Sequence, residues 1–279
     1  MFLMVMRHGD HVTVLDVSFE KNVADVKRLL DNGASIDYLD HHKTGELITH
    51  DKLLVDIDLS ADTCTSLIVD KRLNGKYRAW AVTAAFGDNL SEVAMALGKQ
   101  SGFTDDELKS LKQLGILLNY NGYGASVDDL FFHPAELFPK LQAYDSPLDF
   151  IQHESETFLT LDDGYKQDMA RAKQAPLIHE TSGTAIIELP NEAWARRVSG
   201  VYGNELVNQY PNRAHAILTK KENKHYLVSV RAPLNQKYGA DELVGQFPTG
   251  GGRKAAAGIN SLPSEQLAIF IESFQKQFS

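Results

Sequence analysis

The hydrophobic pattern at the start of the chain predicts a strand, a helix and a second strand. Val12 to Val17 is β-branched and mostly apolar, which is typical of a buried parallel strand. A helix is predicted from about Asn22, with apolar residues at helical spacing and Gly33 as its stop. Ser35 to Leu39 then predicts the second strand. Because the connection is short and helical, we expect the two strands to be parallel.

Acidic and imidazole side chains follow the predicted strands at the points where the strands end. Asp16 lies near the carboxyl end of the first strand, and Asp40-His41-His42 lies at that end of the second. Ala79 to Phe86 is predicted to be a third strand or a buried segment, and Asp88 follows it. In open α/β sheets the ligand crevice lies outside the carboxyl ends of the strands. We therefore expect Asp16, Asp40 and Asp88 to converge on one edge.

The remainder of the chain is predicted to be helical at first and mixed α/β afterwards. Residues 91–150 have the apolar spacing of helices, and residues 151–183 are polar and predicted to form a connecting helix and linker. The pattern from residue 184 predicts a strand over Ala185–Leu189, a helix around Trp194, a hairpin of Ala214–Lys220 with His225–Arg231, and a helix near Glu242. The predicted organisation is an α/β domain over 1–150, a helical linker over 151–183, and a smaller α/β domain over 184–279.

Composition is that of an ordinary soluble protein. The 279 residues are 43% hydrophobic and 23% charged, and this length favours about two domains. The single cysteine, Cys64, excludes an internal disulfide and a cysteine-based zinc site, and it fits a reducing cytoplasm. The apolar residues 1–6 are too few for a signal sequence or a membrane span. We expect a soluble, cytoplasmic protein that does not bind membranes.

Charge is distributed unevenly along the chain. Residues 1–150 hold 14 Lys and Arg against 23 Asp and Glu, whereas residues 196–254 hold 10 basic against 4 acidic residues. This distribution suits a metal site facing a surface that holds an anion, although ordinary solvated surface is an equal alternative. Duplex DNA is not expected as a partner, because it needs an extended basic face.

The Asp40-His41-His42 run is the first candidate for chemistry. Carboxylate and imidazole together bind Mn²⁺, Mg²⁺ or similar ions, which can supply a hydroxide nucleophile and neutralise phosphoryl charge. A histidine outside the metal shell could contact phosphate or act as general acid. The alternatives are a polar loop after a strand and, for Asp88, ordinary turn chemistry.

The run Thr249 to Gly258 is the second candidate. The successive glycines Gly250, Gly251 and Gly252 could form an anion-binding nest, and Arg253 adds a planar charge suited to phosphate. Ala255 to Ala257 is predicted to begin a helix behind the nest. The alternative is a flexible loop. Arg231 could reach the same anion, or it could be a solvated charge at the edge of a strand.

These motifs together resemble the DHH phosphoesterase superfamily. Asp40-His41-His42 resembles its signature, and Asp16 and Asp88 match its second and fourth motifs in order and setting. Ser229-Val230-Arg231 and Gly250 to Gly258 resemble its C-terminal substrate-binding domain, called DHHA1. The resemblance covers nearly the whole chain. It implies a parallel-sheet DHH domain with helices on both faces and a catalytic cleft between the two domains.

The resemblance also implies roles for individual residues. Asp16, Asp40, His41 and Asp88 would ligate metal, typically Mn²⁺ or otherwise Mg²⁺ or Co²⁺, as one or two ions. His42 would face the scissile phosphate, and Asp40 would ligate or orient its neighbours, so these two are the predicted catalytic residues. Substrate would be held by the residues Arg231, Gly250, Gly251, Gly252 and Arg253.

Two features depart from the family pattern. Arg253 stands where the glycine motif usually ends in histidine, and a guanidinium cannot donate a proton at neutral pH. The N-terminal His-x-Asp-x-Asp motif is not found either, since Asp10 lies too close to Asp16 and Asp56-Ile57-Asp58 comes after Asp40. The expectation is a chain that lacks the first βα unit of the fold, with a truncated gene model as the favoured explanation.

Two functions remain as hypotheses. The first is a metal-dependent phosphoesterase that hydrolyses a phosphodiester or phosphoanhydride bond in a nucleotide, short oligonucleotide or related phosphate compound. The second is a non-catalytic phosphate- or nucleotide-binding relative with an incomplete metal site. Expected partners are a small phosphorylated substrate or short single-stranded nucleic acid, with a homodimer as a further hypothesis.

Overall fold

The computed structural model describes residues 8–278. The chain forms two compact units, Met1–Thr104 and Asp105–Ser279. The apolar residues 1–6, predicted to be too few for a signal sequence or a membrane span, lie outside the described residues. The domain limits at residues 150 and 184 stay predictions, and the division between the compact units falls earlier, after Thr104. No helix in the described part of the chain has the length and hydropathy needed to cross a membrane.

The first unit contains a three-stranded sheet in the order β1-β2-β3, and both strand pairs are parallel. Its elements are β1 (His11–Leu15), α1 (Phe19–Asp31), β2 (Ser35–Asp40), β3 (Leu53–Ile57), α2 (Thr65–Arg72), α3 (Arg78–Gly87) and α4 (Ser91–Gln100). The predicted β1-α1-β2 unit with parallel strands is therefore confirmed. Val12 pairs with Ile36, and this register places the carboxyl ends of the first two strands side by side.

Helices pack against both faces of this sheet. Successive side chains of β2 point to opposite faces, so each face has residues for a helix to contact. Ile36 and Tyr38 face α1, where the wholly buried Tyr38 ring packs edge-on against Phe19 at 5.0 Å between centroids. Asp37 faces the other side and forms an ion pair with Arg72 of α2. The predicted α/β class with helices on both faces is confirmed for this unit.

The segment Ala79–Phe86, predicted to be a strand or a buried segment, is a helix. It lies within α3, and Asp88 forms the C-terminal cap. A short apolar run does not distinguish a strand from a buried helix, and its alanines favour the helix. The buried residues Ala81, Val82, Ala85 and Phe86 recur at helical spacing. Asp88 is therefore supplied by the end of a helix and not by the edge of the sheet.

The second unit contains a six-stranded mixed sheet in the order β4-β5-β6-β7-β9-β8. The β5–β6 pair is parallel and the other pairs are antiparallel. Its helices are α5 (Asp105–Tyr120), α6 (Pro134–Gln142), α7 (Pro147–His153), α8 (Ser155–Ala172), α9 (Ala193–Gln209), α10 (Ala240–Val244) and α11 (Leu267–Phe278). Its strands are β4 (Leu177–Glu180), β5 (Thr184–Leu189), β6 (Ala214–Lys220), β7 (His225–Arg231), β8 (Gly250–Gly252) and β9 (Ala256–Pro263).

Two apolar cores flank the six-stranded sheet. Ile187 and Ile217 belong to the core that α9 covers, whereas Ala216 and Leu218 belong to the core that contains α10 and α11. The alternation along β6 explains why this strand reads as a continuous apolar run. The hairpin of β6 and β7 has the predicted bounds, whereas β4 is an edge strand within the segment predicted to be linker.

The helix predicted to begin at Ala255 is absent from this segment, because the glycine run forms a β-hairpin. Gly250 to Gly252 is the edge strand β8, and the N–H of Arg253 donates to the Ala256 carbonyl across 2.8 Å in the turn before β9. A Cβ at position 250 would lie 1.8 Å from the Val244 carbonyl oxygen. Gly252 has a φ of 146°, which side-chain-bearing residues rarely adopt. The two glycines therefore serve close backbone approach and a turn conformation.

Candidate metal centre

Four carboxylate and imidazole side chains, of types that can bind a metal ion, meet at the carboxyl ends of β1 and β2. Asp16 follows β1 in a left-handed conformation with φ of 59°, and its N–H donates to the Leu39 carbonyl across 3.1 Å. Asp40 ends β2, and His41 and His42 follow it. One ligand atom from each of Asp16, Asp40, His41 and His42 lies within 4.8 Å of the others. The predicted convergence of Asp16 with Asp40 is observed.

Asp40 is the most deeply buried member of this cluster. The residue is 0% exposed, and its Oδ1 accepts a hydrogen bond from His42 Nδ1 at 2.7 Å. Its Oδ2 is buried and has no hydrogen-bond partner among the described residues. A buried polar atom without a partner costs about 1–3 kcal/mol, and more when charged. A cation at Oδ2 would remove this cost.

His41 is oriented from behind by a backbone carbonyl. Its Nδ1 lies 3.1 Å from the Thr63 carbonyl oxygen, which can only accept, so Nδ1 carries a proton. Its Nε2 points to Asp16 Oδ1 at 3.2 Å. Metal-binding histidines typically donate one ring N–H to a carbonyl or carboxylate and bind through the other nitrogen. His41 has this arrangement, which leaves Nε2 as the nitrogen that could bind an ion.

Asp16 presents its carboxylate to the cluster in ionised form. Its Oδ1 lies next to His41 Nε2 and also accepts a hydrogen bond from Thr65 Oγ1 at 2.9 Å. When His41 carries a second proton on Nε2, its hydrogen bond to Asp16 Oδ1 lowers the pKa of Asp16 to about 2, with a further contribution from Thr65, although partial burial opposes this change. The side chain is 61% exposed, so this negative charge is open to solvent and to an incoming ion.

His42 is half-buried and lies between Asp40 and solvent. A carboxylate can only accept, so the proton in its bond to Asp40 is on Nδ1, and Nε2 is directed away from that carboxylate. The His42 ring meets His41 edge-on at 4.8 Å between centroids. His42 can therefore contact either a metal ion or a substrate through Nε2.

Asp88 and Asp16 lie at different nitrogens of the His41 ring. Its Oδ2 is 3.9 Å from His41 Nδ1, the nitrogen that faces Thr63, whereas Asp16 lies at Nε2. The structure therefore brings Asp88 near the cluster without placing it among the four residues whose ligand atoms converge. Its role as a ligand stays a prediction.

The donor set of the cluster fits a divalent cation. It combines carboxylate oxygens with imidazole nitrogens, which suits Mn²⁺, Mg²⁺ or Co²⁺ better than ions that prefer thiolate. The unpartnered Oδ2 of Asp40 and the orientation of His41 add to the fit. Cys64 lies between Thr63 and Thr65, but burial raises the pKa of its thiol to about 11, and this disfavours the thiolate.

The second unit contains a buried arginine without an acidic partner. Arg231 is 9% exposed, so it is not the solvated edge charge of the alternative interpretation. Its guanidinium donates to Asn204 Oδ1 at 2.6 Å, Ser229 Oγ at 3.0 Å, the Val230 carbonyl at 3.1 Å and the Gly200 carbonyl at 3.2 Å. All four acceptors are neutral, so the charge remains uncompensated by any residue that the structure describes. A buried uncompensated cation favours an anion beside it.

The other predicted substrate residues lie in the same part of the sheet. Arg231 pairs with Ala256 in the ladder between β7 and β9, and Ala256 accepts the backbone hydrogen bond of Arg253. Gly252 pairs with Ala257, the next residue of β9. The structure thus brings Arg231, Arg253 and the glycine strand to one end of the sheet, although their contact with substrate stays a prediction.

Sequence reasoning missed the supporting residues Thr63, Thr65 and Asn204. Each contributes one hydrogen bond to a candidate residue, and each is distant from that residue along the chain. Threonines near the start of a helix and asparagines within a helix are common in any sequence. No local pattern therefore distinguishes these three residues.

Comparison with known proteins gives matches among solved structures alone. No family model and no curated protein sequence matches this chain. The chain is similar to the pGpG-specific phosphodiesterase PggH from Vibrio cholerae, with 13% identity, 98% of each chain covered and a TM-score of 0.48. It is similar to the exonuclease RecJ bound to manganese, with 14% identity, 96% of this chain and 74% of that chain covered, and a TM-score of 0.46. It is also similar to CDC45 from Entamoeba histolytica, with 9% identity, 96% and 84% coverage, and a TM-score of 0.42.

Proposed function

We propose that this chain is a divalent-metal-dependent phosphoesterase of the DHH type. The observation that carries the proposal is the convergence of Asp16, Asp40, His41 and His42 around a buried carboxylate oxygen that has no hydrogen-bond partner within residues 8–278. The proposed substrate is a nucleotide, a short oligonucleotide or a related phosphate compound. The proposed bond is a phosphodiester or a phosphoanhydride.

The metal shell is assigned to Asp16, Asp40 and His41, with Asp88 as a further candidate. Mn²⁺ is the preferred ion, with Mg²⁺ or Co²⁺ as substitutes and either one or two ions bound. When bound, such an ion supplies an activated water and neutralises phosphoryl charge. The ionised Asp16 and the oriented His41 Nε2 support this assignment.

His42 and Asp40 are proposed to act as a pair. The bond from His42 Nδ1 to Asp40 Oδ1 fixes the ring orientation and keeps a proton on Nδ1. Nε2 is then available to contact the phosphate or to donate a proton to the leaving oxygen. A buried carboxylate behind a histidine also stabilises the charged form of the ring.

Phosphate binding is assigned to the end of the six-stranded sheet that holds Arg231. The uncompensated charge of Arg231 supports an anion at this position. Arg253 in the hairpin turn adds a second guanidinium, and the edge strand Gly250 to Gly252 offers backbone without side chains. We expect small phosphorylated compounds or short single strands here, and no duplex DNA.

A turnover assay with and without metal tests the proposal. The full chain is incubated with Mn²⁺ and a panel of dinucleotides, short oligonucleotides, cyclic dinucleotides and polyphosphate, and released product is measured. We expect turnover that stops with a chelator and falls at least about 100-fold in His42→Ala, in line with the usual contribution of a general acid or base. His50→Ala serves as the control, because His50 lies in the same unit outside the cluster.

A non-catalytic phosphate- or nucleotide-binding protein is the second candidate. The buried Arg231 favours it independently, because an anion site in the second unit needs no metal. Calorimetry with the same compounds separates the two functions. Binding without metal dependence and without turnover supports the second candidate, whereas metal-dependent turnover excludes it.

Location in the cytoplasm and association into a homodimer are part of the proposal. Gel filtration with light scattering tests whether the chain forms a homodimer.

A further inference from the structure

We propose that Thr65 is a positioning residue that holds the Asp16 carboxylate in the metal centre. The inference deepens the proposed function and depends on it. Thr65 touches neither substrate nor metal in this assignment; it acts through Asp16. Its hydroxyl donates to Asp16 Oδ1 at 2.9 Å, and this oxygen is also the one that lies 3.2 Å from His41 Nε2.

Asp16 needs an anchor because its own position leaves it loose. It follows β1 at an exposed turn, and its side chain is 61% exposed. Such a carboxylate would rotate freely in solvent, which lowers affinity for an ion that needs a fixed ligand. Among the residues that the structure describes, His41 and Thr65 hold this carboxylate, and of these two Thr65 is outside the predicted metal shell.

Thr65 is suited to this task because it is itself fixed. It is the first residue of α2 and is 5% exposed. Its hydroxyl does not cap the helix: Cys64 is the capping residue, and Thr65 Oγ1 is directed to Asp16, 49 positions away in sequence. The hydroxyl is therefore not needed for the start of α2.

The same short segment orients a second member of the cluster. Two residues before Thr65, the Thr63 carbonyl accepts the hydrogen bond of His41 Nδ1 at 3.1 Å. The start of α2 thus holds one residue from the end of β1 and one from the end of β2. The segment of residues 63–65 is therefore packed against the cluster at two points, and the Thr65 hydroxyl supplies one of them.

Mn²⁺ binding measured by calorimetry on the full chain, without substrate, tests the proposal. Thr65→Val removes the hydroxyl and keeps the shape, and Thr65→Ala guards against poor folding of the valine variant. Both are expected to weaken Mn²⁺ binding about 10–100-fold, the usual effect of removing a partner of a metal ligand. Thr65→Ser retains the hydroxyl and is expected to restore affinity to near that of the unmodified chain.

Thr83→Val is the matched control. Thr83 is a buried threonine of the same unit, but its hydroxyl donates to the Ala79 carbonyl within α3. The same chemical change there should leave Mn²⁺ binding unaltered. A second readout is the Mn²⁺ concentration for half-maximal turnover, which should rise in Thr65→Val while kcat at saturating Mn²⁺ stays close to the original value.

The outcomes separate this proposal from the proposed function. If the unmodified chain binds Mn²⁺ and Thr65→Val and Thr65→Ala bind it equally well, the role of Thr65 is overturned and the metal centre stands. Equal weakening in Thr65→Val and Thr83→Val, or no recovery in Thr65→Ser, overturns it as well. If the unmodified chain binds no Mn²⁺, the proposed metal function fails and the role of Thr65 fails with it.

Discussion

His42 Nδ1 and Asp40 Oδ1 form a 2.7 Å hydrogen bond at the end of a parallel strand, and the second oxygen of Asp40 is buried with no hydrogen-bond partner in the described part of the chain. One carboxylate therefore has two different tasks. Its Oδ1 sets the orientation of a histidine, and its Oδ2 is available to a cation. A substitution that keeps the shape of Asp40 and removes its charge should separate these tasks.

Asp40→Asn should abolish the stabilisation of the protein by Mn²⁺. An ion present at 100 times its Kd raises the free energy of unfolding by about 2.7 kcal/mol. We expect this increase in the original chain and little or none in Asp40→Asn, because a neutral amide is a much weaker ligand. Thermal unfolding with Mn²⁺ and with a chelator measures the difference. Asp56→Asn, at an exposed position of β3 beside β2, is the control and should retain the full response.

Arg231→Lys should weaken binding of phosphate compounds although it preserves the charge. Four of the five guanidinium N–H groups of Arg231 are already engaged, and an ammonium cannot reach both Asn204 and the Gly200 carbonyl while also presenting the remaining N–H to an anion. Hydrogen bonds to charged groups contribute about 1.5–3 kcal/mol, so we expect affinity to fall roughly 10–100-fold. Calorimetry with a nucleotide measures this fall. Unchanged affinity would show that Arg231 is not part of the anion site. Arg213→Lys is the comparison variant, because Arg213 is already paired with Glu180 and should not affect phosphate binding.

The Asp129–Arg196 pair should contribute stability that is lost at acid pH. Arg196 donates two hydrogen bonds to the Asp129 carboxylate, at 2.6 and 2.7 Å, and this contact lowers the pKa of Asp129 from 3.8 to about 2. The contribution is present above the unfolded pKa and disappears as pH falls from about 4 to about 2. It amounts to roughly 2 kcal/mol, since one pKa unit corresponds to about 1.4 kcal/mol.

Urea unfolding at pH 5 and pH 2.5 tests this prediction. Between these values the original chain should lose more stability than Asp129→Asn, because the variant has no carboxylate to protonate at this position. Equal losses in the two proteins would mean that the pair is not coupled to folding.

His215 should destabilise the protein as pH falls from about 6.5 to about 4. Burial, followed by the charge of Arg213, lowers the pKa of His215 from 6.5 to about 4. In this range the unfolded chain binds a proton that the folded chain does not, so stability decreases as pH falls. The effect reaches about 3 kcal/mol at pH 4. Chemical unfolding across pH 4–7 should give a shallower pH dependence for His215→Gln, and an identical dependence would refute the assignment.

The positions of Asp16 and Asp40 could be predicted because the local pattern of apolar residues indicates where each strand ends. The β-branched run before Asp16 and the run before Asp40 identify strands, and the helical spacing between them implies a parallel pair. Two strands with that relationship must end on the same edge. The convergence of Asp16 with Asp40 therefore follows from pattern and topology alone.

Other features could not be predicted because they depend on tertiary contacts. The segment before Asp88 is apolar on all sides, and its helical form is set by packing and alanine content. The glycine run forms a hairpin in which Gly250 lies against the Val244 carbonyl, and this tertiary contact cannot be seen in the sequence. Thr65 was missed for the same reason, since its partner Asp16 is 49 positions away.

The hydrogen bond from the Asp16 N–H to the Leu39 carbonyl has a consequence for folding. Asp40, His41 and His42 are neighbours in any conformation of the chain, but Asp16 joins them only after β1 has docked on β2. A cation held by Asp16, Asp40 and His41 would act as a removable crosslink between those strands. Chelation should then loosen the first strand before the rest of its sheet, and hydrogen exchange of the amides in β1 would report the order of opening.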